Sequence, residues 1–122
     1  MRLILIVEDD RDTNAAIQDV LESESYSCIA AFDGNDGFRL LVERRPDLVL
    51  LDLELPGMNG EEFLRLKEEV GAVAQTPVVV ITGLSHVPKL DRVVAVLPKP
   101  FTLEALLALT RKHAPIEEAQ TI

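Results

Sequence analysis

The sequence predicts an α/β domain: a doubly wound sheet of five parallel strands, in the order 2-1-3-4-5, with helices on both faces. Three observations predict it. Short apolar runs recur five times without the polar alternation of a half-exposed strand, which is the pattern of strands covered on both faces. Segments of helical period alternate with these runs, so the simplest architecture is a parallel sheet built by crossovers. At 122 residues the chain is one domain, long enough to bury a core without disulfides or metal staples. Right-handed crossovers then make 2-1-3-4-5 the simplest strand order.

Taken in order, "RLILIV" (2–7) is the first strand. "DTNAAIQDVLESE" (12–24) follows as a helix with Ala16, Ile17, Val20 and Leu21 on one face and Asp12 as its expected N-cap. "YSCIAA" (26–31) is the second strand. The stretch "DGNDGFRLLVERR" places Phe38, Leu41 and Val42 at helical spacing and is punctuated by Pro46. "DLVLLD" (47–52) is the third strand. "NGEEFLRLKEEVG" is a helix with Phe63, Leu66 and Val70 expected inward, acids in its first turn and Gly71 past its end. "TPVVVIT" and "VVAVLP" are strands four and five, and "TLEALLALTRKH" is a final amphipathic helix. Only eleven residues, 82–92, separate strands four and five. That is close to the minimum of about 10–12 for a crossover with its helix, and Pro88 interrupts it, so a short or irregular fourth helix is expected there. The domain is expected to occupy 1–113, with 114–122 a frayed tail or the start of a linker.

Composition narrows the function. Apolar residues make up 48% of the chain and mean hydropathy is +0.17, which fits a packed soluble domain and not a disordered segment. No apolar run approaches the roughly 20 residues of a membrane span, and the N-terminus lacks a signal-peptide pattern, so a cytoplasmic location is expected. One cysteine, Cys28, excludes an internal disulfide and reads as core. The formal net charge is −9, with 21 acids against 12 bases and no basic stripe, so this domain alone is not expected to bind nucleic acid. His86 and His113 have no metal-ligand spacing.

In a doubly wound sheet, ligands bind beyond the carboxyl ends of the strands, at the switch between strands one and three. Strand one ends in Glu8, Asp9 and Asp10, strand three in Asp52, and strand four in Thr82-Gly83. Strand five runs into Lys99-Pro100. Carboxylates crowded together repel one another, and a hard divalent cation removes that conflict. A carboxylate beside such a cation is also a possible nucleophile towards phosphorus. The phosphoryl oxygens then need positive charge and donors, which Lys99, the Thr82 hydroxyl and the close-approaching Gly83 amide supply. Pro56-Gly57 and Gly60 read as structural, turning the loop past the site.

The segments "ILIVEDD", "LVLLDLELPGMNG", "VVVITG" and "LPKPF", in this order, resemble the response-regulator receiver domain of two-component signalling. Asp9 precedes Asp52 by 43 residues and Thr82 follows it by 30. The resemblance covers Arg2 to about His113 and implies the flavodoxin-like form of the predicted sheet. It further implies that Asp52 is the phosphoacceptor, that Asp9 binds Mg²⁺ directly and Glu8 through water, and that the Glu54 backbone carbonyl is a further metal ligand. The Glu54 side chain is expected to point elsewhere. Thr82 matches the hydroxyl that moves towards the phosphoryl group, and Lys99 the family's lysine, followed by a cis bond to Pro100. Asp10 matches no ligand position. The implied partners are a sensor histidine kinase or phosphotransfer protein and an unidentified downstream protein. The implied chemistry is self-phosphorylation and self-dephosphorylation, without turnover of a substrate.

Two departures fall on the face that signals in this family. Val96 stands where an aromatic residue is usual, three residues before the lysine. The Thr82-to-Lys99 interval is about five residues short, a deficit that falls on the fourth helix. They leave open a second function, a degenerate receiver that docks partners independently of phosphorylation. A third, a phosphohydrolase of the haloacid-dehalogenase type, has partial support from "LLDLE". It is weakened by Glu54 in place of a second aspartate and by the lack of room for a cap.

Overall fold

The computed structural model describes residues 1–87 and 92–116. Five strands, β1 (Leu3–Val7), β2 (Ser27–Ala31), β3 (Leu48–Asp52), β4 (Val78–Thr82) and β5 (Val93–Pro98), form one parallel sheet in the order β2-β1-β3-β4-β5. The helices are α1 (Arg11–Ser23), α2 (Gly34–Arg44), α3 (Gly60–Glu69) and α4 (Leu103–His113). The predicted architecture and strand order are those observed. The register aligns the strand ends: Val7 lies opposite Ala31 and Leu51, Asp52 opposite Ile81, and Thr82 opposite Pro98. One rim therefore collects every carboxyl end.

The apolar runs are buried from both sides, and alternate residues serve different layers. Leu5, Val7, Val49 and Leu51 pack with Leu41, Phe63 and Leu64 of α2 and α3. Ile4, Ile6, Leu48 and Leu50 pack with Ile17, Leu21 and Leu106 of α1 and α4. β1, β3 and β4 are near-continuously buried, whereas β5, at the edge, is only half covered.

Local details depart from the sequence reading. The N-cap of α1 is Asp10 and not Asp12: its carboxylate accepts from the Asp12 and Thr13 amides at 3.0 and 3.2 Å. Asp12 instead sits in the first turn, where an acid meets the positive end of the helix. Leu66, expected inward, is 38% exposed, as is Val42 at the end of the Phe38–Leu41 stripe. In α3, Phe63, Leu64 and Lys67 share the buried face, because a stripe at i, i+1, i+4 fits the period as well as one through Leu66. The connection after β4 shows no helix over the described residues 83–87, and Pro88 to Asp91 lie outside the described residues. Residues 117–122 of the expected tail also lie outside them, but its first three residues are held. Ala114 is buried and accepts from the Tyr26 hydroxyl at 2.8 Å, Pro115 accepts from Arg2 Nε, and Ile116 packs on the core.

Lys67 is buried and donates to the Ala74 carbonyl at 2.8 Å. Burial pushes its ammonium from 10.5 down to about 8; the Arg92 charge pushes the same way and Glu68 opposes it. The sign of the pH dependence follows. Below the folded value both states are protonated and the burial penalty is complete; it disappears as pH rises through the unfolded value. Wild type should therefore gain stability relative to Lys67→Met, by on the order of 2 kcal/mol, between about pH 8 and 10 in urea melts. A difference that stays flat over that range would refute the buried-ammonium account.

Candidate functional site

The rim above the β1–β3 switch opens into a cleft of about 800 Å³ lined by Glu8, Asp9, Asp10, Asp52, Glu54 and Lys99, with Phe101 and Leu103 on its apolar flank. Its acids come from two elements. β1 ends at Val7, and the turn that follows carries Glu8 and Asp9 up to the Asp10 cap of α1. Asn14, fully buried in the first turns of α1, ties that turn down. Its amide nitrogen donates to the carbonyls of Glu8 at 3.1 Å and Ala31 at 3.2 Å, with a longer bond to Ile6, while its oxygen accepts from Gln18. The sequence reading missed Asn14; the only signal was an amide at a position of α1 that faces the sheet. Replacing it with Leu leaves the Glu8 carbonyl without this partner. It is expected to cost about 2–3 kcal/mol in thermal or urea denaturation, and a loss below 0.5 kcal/mol would show that the turn holds without it.

Asp52, the last residue of β3, is 1% exposed. Its Oδ1 accepts from the Glu54 amide and its Oδ2 from Lys99 Nζ, both at 2.8 Å. Carboxylate oxygens of Glu8, Asp9 and Asp52 lie within 4.8 Å of one another, so the three acids predicted as metal ligands do converge. Glu8 is buried and Asp9 exposed. Burial pushes the Glu8 carboxyl up to about 7; the Asp10 amide, at 3.2 Å, opposes this, while the Asp52 charge and bonds shared with Asp9 and Asp52 add to it. An acid driven towards its neutral form by burial, and further by adjacent acids, is what a bound cation would relieve. The donor set consists of hard oxygens, as Mg²⁺ requires.

Lys99 follows β5, and its bond to Pro100 is cis, as expected. Its backbone amide donates to the Thr82 carbonyl at 2.9 Å, which docks it beside the end of β4. Burial alone would lower its ammonium; the bonds and charges of Asp52 and Glu54 outweigh that and hold it above its usual range. Thr82 is 1% exposed, and its Oγ accepts from the Leu84 amide at 2.9 Å.

Glu54 is the correction. Its side chain does not point away. Oε1 accepts from the Gly83 amide at 2.9 Å and from the Thr82 hydroxyl at 3.3 Å, and Oε2 from Lys99 at 3.4 Å. The Gly83 amide, with the Lys99 charge, holds its carboxyl below the usual range against partial desolvation. Val96, on the edge strand, is 43% exposed.

A parallel five-stranded sheet with an acid triad and a lysine at its switch point defines a class of doubly wound α/β domains whose ligand cleft lies at that point. Within it the chain belongs to the response regulator receiver domain family, whose model matches residues 4–111. Solved structures share this fold. The chemotaxis response regulator CheY4 of Vibrio cholerae is similar at 24% identity and a TM-score of 0.82, over 92% of this chain and 98% of that one. The receiver domain of the hybrid histidine kinase CckA is similar at 26% identity and a TM-score of 0.79, over 91% and 97%. A receiver domain of a Pseudomonas aeruginosa sensor histidine kinase, solved with a magnesium ion in its active-site cleft, is 25% identical with a TM-score of 0.80, over 92% and 96%. Domains of this family are signalling modules that bind Mg²⁺ and interact with histidine kinases or phosphotransfer proteins. The phosphohydrolase alternative gives way to this family. No helix among the described residues is long and apolar enough to cross a membrane.

Proposed function

We propose that Asp52 accepts a phosphoryl group from a histidine kinase or phosphotransfer protein and that the resulting charge switches a partner-binding surface. The observation that carries this reading is the Asp52 carboxylate itself. It is buried at the end of β3, is held by a lysine at 2.8 Å, and shares a 4.8 Å cluster with Glu8 and Asp9. A carboxylate oxygen of Asp52 forms the new bond to phosphorus. The phosphorus–nitrogen bond of the donor imidazole breaks with its electron pair left on nitrogen, which then takes up a proton. Lys99 supplies positive charge to the transferring oxygens, and Thr82 and the Gly83 amide supply donors. Glu8, Asp9, Asp52 and the Glu54 backbone carbonyl would hold Mg²⁺, whose charge screens the incoming phosphoryl oxygens when it is bound. Water attack at phosphorus returns the carboxylate and releases phosphate.

The test is intact-protein mass spectrometry after treatment with a small acyl-phosphate donor. A single Mg²⁺-dependent phosphoryl adduct is expected. No adduct, or an adduct indifferent to chelation, would reject this reading.

The phosphorylation-independent docking module remains the second reading, because Val96 replaces the aromatic usual for the family and Glu54 already occupies the donors near Asp52. It predicts partner affinity unchanged by the adduct, whereas the switch predicts a change. Pull-down of one partner with both forms separates the two.

A further inference from the structure

Three donors converge on the Glu54 carboxylate: the Gly83 amide at 2.9 Å, the Thr82 hydroxyl at 3.3 Å and the Lys99 ammonium at 3.4 Å. These are the same three groups to which the proposed function assigns the phosphoryl oxygens. The set is arranged, not incidental. The Thr82 oxygen already accepts from the Leu84 amide, which leaves its proton directed at Glu54. The Gly83 amide lies directly against this carboxylate: even a Cβ at Gly83 would come to ordinary contact, 3.4 Å, with Glu54 Oε1. Lys99 bridges the two acids, at 2.8 Å from Asp52 and 3.4 Å from Glu54. The Glu54 amide is itself bonded to Asp52 Oδ1, so the side chain starts beside the nucleophile and reaches across to β4. A carboxylate offers these donors the charge and lone pairs that phosphoryl oxygens would offer. At 40% side-chain exposure it has solvent to swing into once released.

Resting on the phosphoacceptor reading, we infer that Glu54 is an internal stand-in for the phosphoryl group. In the unmodified chain its carboxylate occupies the donors of the phosphoryl site, and an anion on Asp52 takes them only by displacing it. Glu54 is thus a positioning residue. It sets how strongly the modified state is held by competing for the groups that hold it.

The test uses fluoroberyllate, the tetrahedral anion formed when a carboxylate oxygen supplies the fourth ligand to beryllium trifluoride. It is titrated at saturating Mg²⁺ into wild type, Glu54→Ala and Glu54→Asp, and the Gly83 amide resonance is followed by NMR. Glu54→Ala is expected to bind roughly tenfold more tightly, the scale of one charge-assisted hydrogen bond. Glu54→Asp keeps the charge but withdraws the carboxylate by one bond of about 1.5 Å, and it should move in the same direction. In the free proteins the Gly83 amide signal should shift on removal of Glu54. If Glu54→Ala binds no more tightly, or Glu54→Asp behaves as wild type, the inference is overturned and the phosphoacceptor reading survives. If none of the three binds, the phosphoacceptor reading falls and this inference with it.

Discussion

Asp52→Asn is expected to abolish covalent phosphoryl acceptance completely, read as loss of the adduct by mass spectrometry under conditions that modify the wild type. An amide oxygen is a poor nucleophile and cannot carry a stable phosphoryl ester of this kind, so the effect is a removal of chemistry and not a reduction in rate. The substitution is nearly isosteric. Its oxygen can still accept from the Glu54 amide that now bonds Oδ1 at 2.8 Å. Lys99 loses its nearest anion but keeps Glu54 at 3.4 Å, and its side chain is 30% exposed, so the stability cost should stay within about 1 kcal/mol. Loss of the adduct then cannot be ascribed to unfolding. Lys99→Met provides the graded comparison. The nucleophile remains while the charge aimed at the transferring oxygens is lost, and the rate of modification should fall on the order of a hundredfold. An adduct that persists in Asp52→Asn would place the chemistry on another residue.

Gly60→Ala is expected to produce a large loss of stability from the smallest change in mass. Gly60 opens α3 and donates its amide to the Leu53 carbonyl at 3.1 Å. A Cβ there would lie 2.5 Å from Leu53 Cα, 2.6 Å from Leu53 Cδ2 and 3.1 Å from the Asp52 carbonyl oxygen. Backbone atoms cannot give way as a flexible side chain can, so either α3 or the end of β3 must move. The cost should be about 3 kcal/mol, a fall of roughly 10 °C in Tm. Gly71→Ala is the control: nothing lies within 4 Å of its added Cβ, and the change should stay within about 0.5 kcal/mol. Similar losses at the two sites would show that helix or turn propensity, and not close approach, governs Gly60.

This comparison also refines how the loop after Asp52 reads. Gly57 and Gly60 were both expected to turn the chain. Only Gly57 does so, with φ of +70°; Gly60 is required for space. A sequence shows that a side chain is missing, but not whether conformation or proximity demands it. The same limit explains Asp10 and Asp12. Either can cap a helix by residue type, and the choice depends on where the chain leaves β1. In α3 both stripes satisfy the helical period, and packing against β3 and the loop before β4 chose the one that contains Lys67.

The strands, their order and the rim that gathers Glu8, Asp9, Asp52, Thr82 and Lys99 were determined by the sequence alone. Continuous apolar runs specify two-sided burial, and the polar residues that end them can only emerge at the carboxyl edge of a parallel sheet. Only the tertiary structure decided which group faces which across that edge. Glu54 looked like a backbone ligand with its side chain directed elsewhere, yet its carboxylate bonds Gly83, Thr82 and Lys99. Those partners lie 28 or more positions away in the chain, and no local pattern encodes a distance between segments that meet only when the sheet forms.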